Sequence, residues 1–184
     1  MSPDNTSKNK DSNTRTKDMV GHDYRELQQL LKKPAKNILF AGVGNVLKKD
    51  DGVGVYIARK ISQGGGIGGL VVEMGIENYI GKINTLDPDI LIIIDACDFG
   101  RKPGFVRLAM VSDMKETTTN THNISLAKLS DFFNMPVYIL GIQPADISFG
   151  EGMCREVNDK AERIVQMINL KKFGFNNVRA IMPG

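Results

Sequence analysis

Apolar residues recur along this chain in two rhythms. Residues 1–20 have almost none and read as a disordered polar tail. Tyr24, Leu27, Leu30 and Leu31 then fall at helical spacing, which predicts a short amphipathic helix over 22–33, stopped before Pro34. From residue 37 onward, short apolar runs alternate with helix-spaced segments. The runs predict strands over 37–41, from 70 to 72 onward, and over 89–95, 105–111 and 137–142. Helical spacing predicts helices over 52–62, 76–86, 123–134 and 151–170. The glycine-rich stretch 63–69 reads as a flexible turn, and the stretch 171–184 trails off through Gly, Asn and Pro.

The third run, Leu91-Ile92-Ile93-Ile94, is apolar without alternation, as expected of a parallel strand buried on both faces. The turn at 101–104 makes the fourth strand a hairpin partner of the third. Strands alternating with helices predict an α/β class: a three-layer α/β/α sandwich around a mixed, mainly parallel five-stranded sheet. The expected organisation is a tail over 1–20, a short helix and linker over 21–36, and a single α/β domain over 37–184.

Charge changes the picture in one respect. The net charge is +3, with a pI near 8.8. Residues 1–36 hold eight Lys/Arg against five Asp/Glu, whereas residues 37–184 hold sixteen of each. The folded body is therefore neutral, which argues against a nucleic-acid partner. No apolar run approaches the roughly 20 residues that span a membrane, and the N-terminus lacks the apolar core of a secretory signal. The two cysteines, Cys97 and Cys154, form no CxxC and no disulfide framework, so a reducing cytoplasm is expected. Only His122 is available as an imidazole in the body, because His22 precedes it.

In open α/β sheets, ligands gather beyond the carboxyl ends of the strands. Gly42-x-Gly44 follows the first strand, but Leu47 stands where a dinucleotide fingerprint needs its third glycine, and no P-loop lysine follows. The pair Asp50-Asp51 would repel a pyrophosphate. It reads either as a cap for the next helix or as a ligand. Asp95 ends the third strand, and reads either as an ordinary strand-end acid or as one compensated by a cation. His122 precedes a helix in a Thr-rich loop, and reads as bonded to backbone or as a ligand. Asp51, Asp95 and His122 together suit a borderline transition metal with open coordination positions. Cys97, two residues beyond Asp95, reads as a small core residue or as a thiol nucleophile.

These residues resemble one family. Gly42-Val-Gly-Asn-Val-Leu-Lys-Lys-Asp-Asp-Gly-Val-Gly is similar to the opening motif of the hydrogenase maturation endopeptidases. Ile94-Asp95-Ala96-Cys97-Asp98 is similar to their acid-Ala-x-Asp segment. Thr121-His122-Asn123 and Gly141-Ile142-Gln143-Pro144 resemble most the HycI branch, which serves hydrogenase-3-type large subunits. The resemblance runs from about Asn37 to Leu170, in order. The second-strand turn departs from the family's acid-Gly-Gly or acid-Ala-Gly and reads Glu73-Met74-Gly75, keeping the acid.

The resemblance implies a cytoplasmic, monomeric endopeptidase that removes the C-terminal extension of a nickel–iron hydrogenase large-subunit precursor after nickel insertion. It implies that Asp51, Asp95 and His122 are both the metal-contacting and the catalytic residues, with Gly44, Asn45, Glu73 and Gly75 binding substrate. It implies nickel supplied by the substrate and no organic cofactor. Cys97 stands where relatives tolerate Thr, which argues against a thiol mechanism. The alternative from another class is a non-hydrolytic, nickel-dependent module that monitors the same precursor.

Overall fold

The computed structural model describes residues 24–35, 37–61, 63–72, 75–113 and 128–172. Helix α1 is Arg25–Lys32. Strand β1, Ile38–Val43, leads through a loop and a 3-10 turn (Lys49–Gly52) into helix α2, Val53–Lys60. Strand β2 is Ile67–Val72. A second 3-10 turn, Ile76–Tyr79, runs into helix α3, Ile80–Leu86. Strands β3 (Ile90–Ala96), β4 (Val106–Met110) and β5 (Val137–Ile142) follow, and helix α4, Arg155–Lys172, ends the described chain.

The sheet has five strands in the order β2-β1-β3-β5-β4. β2, β1, β3 and β5 are mutually parallel, and β4 pairs antiparallel with β5. The fold class expected from the sequence is therefore observed. Alternation along the strands supplies two apolar faces. Ile38 and Phe40 of β1, with Ile90, Ile92 and Ile94 of β3, share one core with Leu27, Leu30 and Leu31 of α1, Ile57 of α2, and Ile164 and Ile168 of α4. Leu39, Ala41, Leu91 and Ile93 point the other way, towards Ile76, Ile83, Phe133 and Met135. β3 contributes five consecutive buried residues, because both of its faces are covered.

Two expectations need correction. The fourth strand does not pair with the third: β5 lies between them, parallel to β3, and β4 occupies the sheet's edge. Apolar patterning marks which residues are buried but carries no record of which strand lies beside which. The second strand also begins earlier than expected, at Ile67, and takes in Gly68 and Gly69. Glycines carry no side chain to show the rhythm, so a paired strand read as a flexible turn. Of the helix expected over 123–134, residues 128–130 are helical and 131–134 are turn, while 123–127 lie outside the described residues. The expected tail over 1–20 also lies outside them.

From β1 the chain moves to one side for β2 and then crosses to the other side for β3. The strand order thus reverses between β1 and β3, and in open α/β sheets the ligand crevice lies outside the carboxyl ends at such a point.

Candidate functional site

The first turn of α2 closes over that crevice. A Cβ on Gly54 would lie 2.2 Å from the carbonyl oxygen of Ile94 and 2.3 Å from that of Val43, so only glycine allows this approach. The loop that feeds α2 is thereby held against the ends of β1 and β3. Gly44 turns the chain with φ +135°, and a Cβ there would meet the Asp51 carbonyl oxygen at 1.9 Å. The Asn45 backbone N–H donates to Asp51 Oδ2 at 2.9 Å, and the Leu47 N–H donates to Asn45 Oδ1 at 2.9 Å. Asp51 thus bonds back into its own loop, and neither Asp50 nor Asp51 caps the following helix.

Asp95 arrives from the other side of the crevice, at the end of β3, in register with Gly141 of β5. Its Oδ1 accepts the Ala96 N–H at 2.8 Å. Part of the residue's surface reaches solvent, but the carboxyl group itself sits deep among protein atoms. Burial pushes its pKa up to about 7, the negative charge of Asp51 adds to the rise, and the Ala96 N–H opposes it. Asp51 and Asp95 are therefore brought within electrostatic reach of each other. Near neutral pH, Asp95 exchanges a proton readily, as a general acid or base must.

Of the other residues expected here, Gly44 and Asn45 lie in this loop. Gly75 adopts φ +48° just before the 3-10 turn at Ile76–Tyr79. His122 and Glu73 lie outside the described residues. Among the described residues, no three His, Cys, Asp or Glu side chains gather as a metal site. Cys97 is held protonated, its pKa raised first by burial and then by the charge of Asp95. That disfavours a thiolate nucleophile.

Two residues have roles that patterning alone did not reveal. Asp50 is fully buried. Its Oδ2 accepts the N–H groups of Ala145 and Asp146 at 2.8 and 3.1 Å, and its Oδ1 accepts that of Cys154 at 2.7 Å. It fastens the glycine loop to the loop that follows β5. The same two loops pair through backbone: Lys49 N–H donates to Gly150 O at 2.9 Å and Gly150 N–H to Leu47 O at 2.8 Å. Lys49 Nζ also pairs with Asp146. These bonds hold Lys49 at φ +45°, a left-handed conformation that a non-glycine residue rarely adopts.

The second residue is Gln143, also buried. Its Oε1 accepts from Phe99 N–H at 2.7 Å and Arg101 N–H at 3.2 Å, and its Nε2 donates to Asp98 Oδ1 and to Pro144 O, each at 3.2 Å. It closes the loop after Asp95 onto the end of β5. The available signal for both was a polar residue placed directly beside a strand end or a buried turn.

Known proteins resemble this chain in sequence and fold. The family profile described as HycI, hydrogenase maturation protease, matches residues 71–170. The chain is 34% identical over 132 residues to the hydrogenase 3 maturation protease of Escherichia coli K12, covering 68% of this chain and 85% of that one. An endopeptidase HycI from Escherichia coli, solved in solution, is 30% identical with a TM-score of 0.58, covering 72% of this chain and 89% of that one. The crystal structure of a [NiFe] hydrogenase maturation protease HycI from Thermococcus kodakarensis shares the fold, with a TM-score of 0.71 at 22% identity, covering 81% of this chain and 99% of that one.

Proposed function

The chain belongs to the hydrogenase maturation proteases and is a peptidase; from that premise, we propose that it removes the C-terminal extension of a nickel–iron hydrogenase large-subunit precursor after nickel insertion. The observation that carries this reading is the pair Asp51 and Asp95. Asp51 follows β1 and Asp95 lies at the end of β3, at the carboxyl ends of adjacent parallel strands, and the charge of Asp51 raises the pKa of Asp95. Two carboxylates held at one crevice repel each other, and a cation relieves that repulsion.

In this reading the cation is the precursor's own nickel. Asp51, Asp95 and His122 present two oxygens and one imidazole to it and leave positions open, which suits a borderline divalent ion. The nickel travels with the substrate, so the protease needs no resident metal and no organic cofactor. Gly44, Asn45, Glu73 and Gly75 would bind the peptide. A nickel ion at the scissile bond would polarise its carbonyl, and Asp51 or Asp95 would serve as the general base. We place the protein in the cytoplasm, acting as a monomer on the folded precursor.

The test is incubation of the purified protein with nickel-loaded precursor, following the precursor's mass. Loss of a C-terminal peptide that depends on nickel and on His122 is the expected result. A stable complex with no change of mass would replace cleavage with a monitoring role.

A further inference from the structure

Four of the seven exposed large hydrophobic residues among the described residues lie on two loops. Val46 (42% exposed) and Leu47 (48%) are in the glycine loop, and Ile147 (53%) and Phe149 (82%) are in the loop after β5. These loops are the two that Asp50 and the backbone pairing at Gly150 hold together. The four side chains therefore stand on adjoining, fixed backbone.

We propose that this apolar rim is the docking surface for an apolar stretch of the large-subunit precursor adjoining the bond to be cut. The inference rests on the function proposed above and names the surface by which its substrate is held. Three observations select this occupant.

First, the rim is continuous with the crevice. Leu47 and Asp51 share one loop, and the backbone of Val46 lies so near Gly52 that a Cβ there would meet the Val46 Cα at 3.0 Å. A polypeptide presenting a bond to Asp51 and Asp95 must lie beside this rim. Second, the rim has the composition of a recognition surface. An aromatic and three aliphatic residues are framed by exposed Lys48, Ser148 and Glu151 and by the Lys49–Asp146 pair. Third, a second copy of the chain seated here would cover the approach to Asp51, which a peptidase acting on a large substrate must keep open.

The test uses the full-length protein and purified nickel-loaded precursor. Phe149→Asp and Leu47→Ser are compared with Phe132→Asp. Phe132 is 62% exposed, but it sits beside Asn84 and Asn134 at the opposite, amino end of the strands. We expect the two rim variants to raise KM for precursor by about tenfold or more with kcat within about twofold, as for loss of an anchor residue, and Phe132→Asp to leave both unchanged. Thermal unfolding confirms that each variant is folded. If Phe149→Asp is not folded, Phe149→Ser and Ile147→Ser take its place.

Unchanged KM in the rim variants, with normal cleavage by wild type, overturns the docking surface and leaves the proposed function standing. Rim-dependent binding of precursor without cleavage by wild type keeps the docking surface and removes the hydrolytic reading. Absence of both binding and cleavage removes both. A wild-type dimer that Phe149→Asp converts to monomer, with precursor affinity unchanged, assigns the rim to a second copy and overturns the proposal.

Discussion

Two acids, Asp50 below the glycine loop and Asp95 at the end of β3, sit in the same corner of the molecule and are treated in opposite ways. Asp50 is sealed from solvent and accepts three backbone N–H groups from the loop after β5. Among the described residues, Asp95 accepts one backbone N–H, from Ala96, and it faces the charge of Asp51. The first carboxylate is satisfied and structural. The second has one such donor among the described residues, and its pKa is raised to about 7. The contrast shows that neither burial nor charge marks a reactive acid by itself. The balance between donors supplied and charge imposed does so.

The contrast breaks most sharply on activity. Asp95→Asn should lower the rate of precursor cleavage by roughly 10²–10⁴-fold, the usual contribution of a proton-transfer group, while leaving the protein no less stable at pH 8. A variant that cleaves normally would place Asp95 outside the chemistry.

Asp50→Ala should show the reverse order of effects. It leaves three inward-facing N–H groups without their acceptor, which costs on the order of 3 kcal/mol or more, read as a fall in the urea midpoint. Cleavage should fall with stability and recover in part in Asp50→Asn, which keeps one acceptor oxygen.

The pH dependence of stability sharpens the comparison. The folded-state pKa of Asp95 is raised from 3.8 to about 7, so between those values the native state binds more protons than the unfolded chain. Its contribution is fully present below about pH 4 and is lost as pH rises through 7. This amounts to roughly 2–3 kcal/mol once partial solvent screening is allowed for. Urea unfolding of the metal-free protein across that range should show the loss, and Asp95→Asn should flatten it. An equally steep fall in Asp95→Asn would assign the titration to another group.

The smallest effect is expected beside Asp95. Cys97 is held as a neutral thiol by burial and by the charge of Asp95. Cys97→Ala should therefore change cleavage by less than about threefold, as for a packing residue. A loss comparable to that of Asp95→Asn would restore a thiol mechanism.

Much of this corner was legible in the sequence. Leu91–Ile94 announced a strand buried on both faces, and the rule that sites gather at carboxyl ends led to the loop of Asp50 and Asp51 and to Asp95. Three things were not legible. Strand order depends on long-range pairing, so β4 was assigned to β3 when it belongs to β5. Gly68 and Gly69 are silent in any hydrophobic rhythm, which hid half of β2. Asp50 and Asp51 are adjacent and chemically identical, and only the approach of residues 145–154 shows that Asp50 is the buried tether. Likewise, Val46 and Leu47 read as letters of a motif until their exposure on a fixed loop was seen.

The bonds to Asp50 join residues 95, 96 and 104 positions apart in the chain. Local helices form early on a folding pathway, whereas closing so long a loop carries a large entropic cost that is repaid only once its partners are in place. The post-β5 loop cannot reach Asp50 before β5 has entered the sheet beside β3. The glycine loop therefore acquires its final shape among the last events of folding. A nascent or partly folded chain holds Asp51 and Asp95 without the scaffold that aims them. If Asp51 and Asp95 act as proposed, competence to cut is tied to completion of the whole domain, a timing safeguard written into connectivity.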